Sequence, residues 1–398
     1  MASVTALPTN SERGFWIRLA IGLAVLAVGL GSAFVMEHEG HVITGMNNEI
    51  VWGTPHVFAI FLIVAASGVL NVASMASVFG QAHYKPWARL SGLLCLAMLA
   101  GGLMVLMLDL GRPERMVVAA THYNFKSVFA WNVFLYTGMF AVVAVYLWTM
   151  FEHRFNAWSK PAGVAALLWR FVLTTGTGSI FGFLVARQAY QSALLAPLFI
   201  VLSLNWGLAV FLLAQSALTA RDGRPLAPDT QRRMARLLGI FVAASLYLVA
   251  VYHMTNLYFA RQSGFEAFIL LGRGGAGVYP LLFWGGYVAV GSVLPMLLLF
   301  HPRLASLRAT LAASALVVLG AFAWLFVFII GGQAFPLDIF PGYQVSSSFG
   351  DGAVMRYVPS LPELLLGVGG LGAAFLLTLV GVRVLDFLPP DDAASTTA

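Results

Sequence analysis

The sequence predicts an all-α polytopic membrane protein. Of its 398 residues, 60% are hydrophobic and only 10% are charged. A soluble globular chain carries roughly a quarter charged residues. Apolar runs of about 20 residues recur along the chain, the length needed to cross a hydrocarbon core about 30 Å thick. A transmembrane β-barrel would show alternating segments of about ten residues instead.

About ten spans are expected, over roughly 14–36, 54–79, 89–109, 126–150, 166–188, 195–219, 236–260, 277–300, 307–331 and 361–385. The first 13 residues are polar and lack the apolar region and cleavage site of a signal peptide, so the run from Phe15 is expected to be a retained helix. Span 2 opens on "WGTPH", where Pro55 suits a first helical turn. Span 3 ends at "LDLGRP", where Gly111 and Pro113 enforce a turn. Span 5 contains "TTGTGSIFG" (Thr174–Gly182). It lacks the lysine and the strand–helix setting of a phosphate loop, and reads as a small-residue packing face. Spans 6 and 7 are joined by the basic connection Thr219–Arg236. Before span 10 comes a connection of about 30 residues, Gly331–Glu363, a length that usually binds something or is disordered. Its Phe, Tyr and Pro content argues for a packed surface that meets a partner.

The net charge of +6 does not indicate nucleic-acid binding, because basic residues of a membrane chain mostly report orientation. With a cytoplasmic N-terminus, the inner segments hold 15 of the 22 Lys and Arg residues, Arg170, Arg221 and Arg224 among them. The bias predicts both termini inside. Arg112, Arg115 and Lys126 break the trend together, in one outer connection. The single cysteine, Cys95, lies in an apolar run. That excludes a disulfide framework, a Cys-ligated iron–sulfur cluster and a Cys-rich zinc site.

Polar chemistry gathers around that connection. Asp109 and Arg112 are three residues apart at a helix end. They could form a salt-bridged turn, or a pair that carries protons or binds a headgroup, since ionisable groups near membrane depth are costly and mark pathways. Arg112 is expected to hold the Asp109 carboxylate ionised. On span 4, Ser127 shares a helical face with Trp131, and Asn132 with Tyr136. Trp131, Asn132 and Tyr136 would give a quinone headgroup an aromatic wall, an amide and a phenol. The same residues also suit an aromatic belt and interhelical hydrogen bonds. His56 is a natural proton exchanger, with an unperturbed pKa of about 6.5, or an interfacial histidine bonded to backbone. His253 and Asn256 share a face of span 7. With Arg187 at the end of span 5 they form either a second polar pocket or a helix contact. His56 and His253 both lie in outer halves, so one haem b with this axial pair is conceivable. No span carries two histidines, which excludes a stacked two-haem arrangement. "HEGH" (His38–His41) falls short of a metal ligand set.

"DLGRPER" followed by "NFKSVFAW" resembles the signature of the NrfD/PsrC family, integral membrane subunits that exchange electrons with quinones. The matching positions are Asp109, Leu110, Gly111, Arg112 and Pro113, then Asn124, Ser127 and Trp131. The resemblance implies two four-helix bundles plus additional helices. The first bundle would cover 14–150 and the second 166–300. Two extra helices would cover 301–386, with an outer loop at 332–360 and cytoplasmic tails at 1–13 and 387–398. It also implies an outer-side site for menaquinone or ubiquinone in the first bundle. There His56 and Asp109 would exchange protons, and Arg112, Tyr123, Asn124, Ser127, Trp131, Asn132 and Tyr136 would line the headgroup. Members of the family place a quinone-contacting histidine on the first span. Span 1 here has none, and His56 is the nearest substitute.

The implied role is a quinone-interacting anchor in a dissimilatory sulfur-metabolism complex of a bacterial inner membrane. Implied partners are a periplasmic ferredoxin-like iron–sulfur subunit, a multihaem cytochrome c, a membrane cytochrome b and a cytoplasmic iron–sulfur subunit. The residues agree with this. A chain without a cysteine cluster must hand a diffusible two-electron carrier to a partner's cofactor. The rival readings are a small-anion transporter with an outer arginine funnel and a haem b-bearing cytochrome subunit.

Overall fold

The apolar runs fold as helices in the computed structural model, which describes residues 9–219, 226–304, 306–337 and 352–389. Among these residues there is no strand. Ten helices are long and apolar enough to cross a membrane. In chain order the helices are α1 (Thr9–Glu39), α2 (Thr54–Ser77), α3 (Ala88–Leu108), α4 (Val128–Phe151), α5 (Ser159–Gly182), α6 (Leu195–Thr219), α7 (Pro228–Tyr258), the short α8 (Ser263–Leu271), α9 (Tyr279–Phe300), α10 (Leu307–Ala334) and α11 (Leu361–Val384). The expected spans all appear, with shifted ends. Span 5 begins seven residues early, at Ser159, and stops at Gly182. Arg187 therefore sits in a connection rather than on the helix. Span 7 begins at Pro228, because Pro at the first turn and Asp229 favour a helix start there. Residues 338–351 of the 332–360 connection lie outside the described residues, as do Arg221, Arg224 and the tail beyond Pro389.

α2 is the hub. Its apolar window is 89% buried, against 22% for α1 and for α4. It packs on α3, α6, α11 and α5. The α2–α6 contact depends on Gly68 and Gly207, whose backbones meet directly. A Cβ on Gly68 would clash with the Ser203 carbonyl. α1 packs along α11, with Gly29 against Gly369. Small residues that let backbones approach are how helices associate when lipid is as apolar as leucine. α4 pairs with α5. On the far side, α9 and α10 pack together. Both contain π-helical turns, over Leu282–Val293 and Phe326–Gly331.

Arg170 corrects the charge count. It is only 3% exposed, inside α5, and Nη1 donates to the Ser67 carbonyl at 3.2 Å. It is a packing residue rather than an orientation marker.

Candidate functional site

Asp109 ends α3. Its backbone N–H closes the last helical turn on Val105 O at 3.1 Å. A carboxylate there faces the negative end of the helix dipole, which is unfavourable. The fold offsets this by bringing it to the start of α2, where His56 occupies the first turn and the dipole is positive. His56 Nδ1 lies 2.7 Å from Asp109 Oδ2. The Asp109 side chain is 1% exposed and that of His56 14%. The contact is ion-pair close but off the line of a formed hydrogen bond, and both Asp109 oxygens are left without a hydrogen-bond donor. His41 is the second partner. Its Nε2 is 3.2 Å from the Asp109 carbonyl and 4.0 Å from Oδ1. Gly111, at φ +70°, turns the chain beneath the His41 ring, where a Cβ would come within 2.9 Å of Cε1. The ion-pair partners of Asp109 are thus two histidines, and Arg112 is not among them. Arg112 instead lines an open depression of about 560 Å³ with Leu110, Gly111, Arg115 and Met116.

The start of α2 is fixed by side chains from the far end of the chain. Tyr357 Oη accepts from Thr54 N–H at 2.6 Å, meets Thr54 Oγ1 at 2.8 Å and donates to Glu363 Oε1 at 2.6 Å. Glu363 Oε2 accepts from Gly45 N–H at 2.9 Å and Ser360 N–H at 2.8 Å. Gly53 packs against this carboxylate, leaving no room for a Cβ. Gln333, at the end of α10, holds the preceding residues. Its Oε1 accepts from Val51 and Trp52 N–H, both at 3.0 Å, and its Nε2 donates to Trp52 O at 2.9 Å. Arg187 donates to Gln333 O at 2.8 Å and Glu49 O at 2.6 Å. Trp52 then stacks on His56 with ring centroids 5.9 Å apart. Burial pushes the Tyr357 phenol above its ordinary pKa, and its bond to Glu363 adds to the rise.

The span 4 residues divide. Asn132 and Tyr136 face inward and are buried. Asn132 Nδ2 donates to Val128 O at 2.8 Å, and its Oδ1 has no donor. Trp131 turns out, 51% exposed, with Nε1 donating to Phe125 O at 2.6 Å. It does not form a wall with Asn132 and Tyr136. Tyr123 packs edge-on against Phe125 and Phe134 on the exposed side. Asn124 Oδ1 caps the turn by accepting from Lys126 N–H at 3.0 Å. Ser127 is the N-cap position of α4 without a side-chain capping bond.

The structure divides the second expected pocket. His253 and Asn256 come together, but on a residue that helical spacing does not single out, Glu266 of α8. His253 Nδ1 is 2.7 Å from Oε2, and Asn256 Nδ2 donates to Oε1 at 2.8 Å. Glu266 is fully buried. Arg187 belongs to the α2 support instead. The sequence did not point to His41, Gln333, Tyr357, Glu363 or Glu266. Two of them carried signals. Ser360–x–x–Glu363 is a capping-box pattern, here formed. Glu266 is an acid in an apolar run, a cost that marks function.

Fold and site together define a multi-pass helical membrane protein with a buried histidine–carboxylate pair at one membrane face. Residues 42–337 match the family described as "Polysulphide reductase, NrfD", and the chain belongs to it. It is 30% identical over 371 residues, 92% of each sequence, to the "Hdr-like menaquinol oxidoreductase integral membrane subunit" of Archaeoglobus fulgidus. It is 28% identical to a protein of Halobacterium salinarum named for the membrane subunit of dimethyl sulfoxide reductase, over 95% of this chain and 93% of that one. It is 25% identical to "Protein NrfD" of Escherichia coli, over 72% of this chain and 96% of that one.

Proposed function

We propose that this chain is the quinone-reactive membrane subunit of an oxidoreductase complex, and in particular of a dissimilatory sulfur-metabolism complex of the DsrMKJOP kind, in the DsrP position. The observation that carries the reading is the Asp109 carboxylate, buried, short of hydrogen-bond donors and 2.7 Å from His56 Nδ1. A quinol brings two electrons and two protons to such a site. With Asp109 at Nδ1, His56 presents Nε2 to one hydroxyl and takes its proton, and Asp109 stabilises the imidazolium that results. His56 takes the second proton in the same way once the first has passed to water at the membrane face. The unpartnered Asn132 Oδ1 supplies a further acceptor. Trp52 restricts how the imidazole can turn. A relative's name includes menaquinol, which supports menaquinone over ubiquinone.

Electrons then pass to a partner on the same face, a DsrO-like iron–sulfur subunit seated over the arginine-lined depression. DsrJ-like, DsrM-like and DsrK-like subunits complete the assembly. The lysine and arginine bias supports placing this face outside a bacterial inner membrane, with both termini inside. The packing of α2 with α3 and α5, and of α4 with α5, supports a first four-helix bundle of α2–α5, one helix later than 14–150, and the packing among α6, α7, α9 and α10 supports a second that takes in the helix after 300.

His56→Gln and Asp109→Asn test the reading in the assembled complex. Quinol-dependent electron transfer falls by about 10²-fold or more, the usual contribution of a positioned proton acceptor. Normal assembly with full electron transfer in both variants overturns it.

A further inference from the structure

The second half of the chain repeats the chemistry of the first around a different carboxylate. His253 approaches Glu266 through Nδ1 at 2.7 Å, the nitrogen and the distance with which His56 approaches Asp109. Glu266 is fully enclosed, and its other oxygen is bonded by Asn256. A carboxylate enclosed among apolar side chains is costly unless it is paired and bonded. The carboxylate fixes Nδ1 as the engaged nitrogen and leaves Nε2 with no hydrogen-bond partner among the described residues. The His253 side chain keeps 11% of its exposure, so the ring is reachable from one side.

That side is aromatic and apolar. Phe283 stands edge-on to the imidazole at 4.7 Å, and Trp284 stands against Phe283 at 5.1 Å. Trp284 Nε1 donates to Leu270 O at 2.9 Å and so ties α9 to α8. Phe283 and Trp284 both lie in the π-helical stretch of α9, and such widened turns recur at functional sites. Met254 and Leu257 on α7 and Leu281 on α9 are exposed apolar side chains, so the surface beside the cluster suits an apolar ligand.

We infer that His253, with Glu266 behind it and Phe283 beside it, is a second binding site for a neutral, lipid-soluble ring bearing hydroxyl or carbonyl oxygens, namely the headgroup of a quinol or quinone. Nε2 hydrogen-bonds the ring oxygen, and the phenylalanine edge packs on the ring. A phospholipid phosphate is disfavoured, because Glu266 repels it and no lysine or arginine among the described residues is bonded to the cluster. The site binds only; no electron leaves the ring there. It goes beyond the His56 site and does not depend on it.

The experiment uses the purified complex, stripped of quinone, and a radiolabelled short-tail naphthoquinone, with an azido form for photolabelling. Two equivalents bind per copy of this chain. His253→Gln removes one and His56→Gln the other. Photolabel in the wild-type complex appears on the Phe283–Trp284 segment, a readout that needs no variant to fold. A single equivalent that His253→Gln leaves intact, with label confined to the His56 region, overturns the inference. So does labelling of the Phe283–Trp284 segment by an azido-phospholipid and not by the naphthoquinone. If His253→Gln removes one equivalent while His56→Gln removes none, this site stands and the assignment of the first falls.

Discussion

Replacing Gln333 with leucine removes three hydrogen bonds from the support of His56 while nearly conserving side-chain volume. Gln333 is 2% exposed. The Val51 and Trp52 N–H groups lose their acceptor, and the Trp52 carbonyl loses its donor. Val51 is half exposed, so its N–H can turn to water; Trp52 is more enclosed. Each group left unsatisfied in a buried setting costs about 1–3 kcal/mol, and one that finds water costs less, so the total is about 2–4 kcal/mol. The loss falls on the residue whose ring stacks on His56 and touches Phe129 and Phe181. Tryptophan-fluorescence melting of the detergent-solubilised protein reads the stability, and quinol-dependent electron transfer reads the site. Both fall in Gln333→Leu. Gln333→Glu keeps the two acceptor bonds and falls less. A leucine variant with wild-type melting and wild-type electron transfer refutes the idea that this side chain positions the histidine.

Gly68→Ala drives a methyl into the Ser203 carbonyl on α6; the variant fails to accumulate in membranes, and normal accumulation contradicts the α2–α6 packing. Trp131→Ala changes electron transfer by no more than about twofold, the scale of an exposed substitution. Asn132→Leu removes an acceptor that has no donor within the protein. It should raise the melting temperature while lowering quinol turnover; a variant with unchanged turnover removes Asn132 from the site. Tyr357 is neutral in the fold, with its pKa raised by burial and then by Glu363. The sign follows: its contribution is full below the unfolded value of about 10, declines as pH rises above it and is gone once pH has passed the higher folded value. Ultraviolet difference spectra at a pH of about 10.5 therefore show equal phenolate absorbance in the wild type and Tyr357→Phe. One extra phenolate in the wild type refutes this.

The spans were legible because crossing lipid requires a length and an apolarity that few other segments have. His56 and Asp109 were legible because polar side chains are costly in such a chain. Their pairing was not. Arg112 is near Asp109 in sequence, but the left-handed turn at Gly111 separates the two, and the histidine arrives from another helix. The inward face of α4 was hidden for a different reason. Helical spacing groups Asn132 with Tyr136 and sets Trp131 apart, yet α4 is apolar all round, so no polar stripe says which group faces the protein. Arg170 shows the same limit, since a basic residue near a span end looks alike whether it faces water or packs on Ser67. Glu266, Glu363 and Gln333 act through partners tens or hundreds of residues away, which spacing cannot show.

The support around α2 also has a calendar. Translation delivers α2 early, long before Tyr357 and Glu363 exist. Until α11 is made, the N–H groups of Gly45 and Thr54 wait for acceptors that the finished chain supplies from its other end. A chain clipped after α10 would keep both helices that bring His56 and Asp109 together and still leave the start of α2 unfastened. The side chains at the start of α11 therefore act as the latch on the start of α2, and the order of synthesis makes that fastening the last to form.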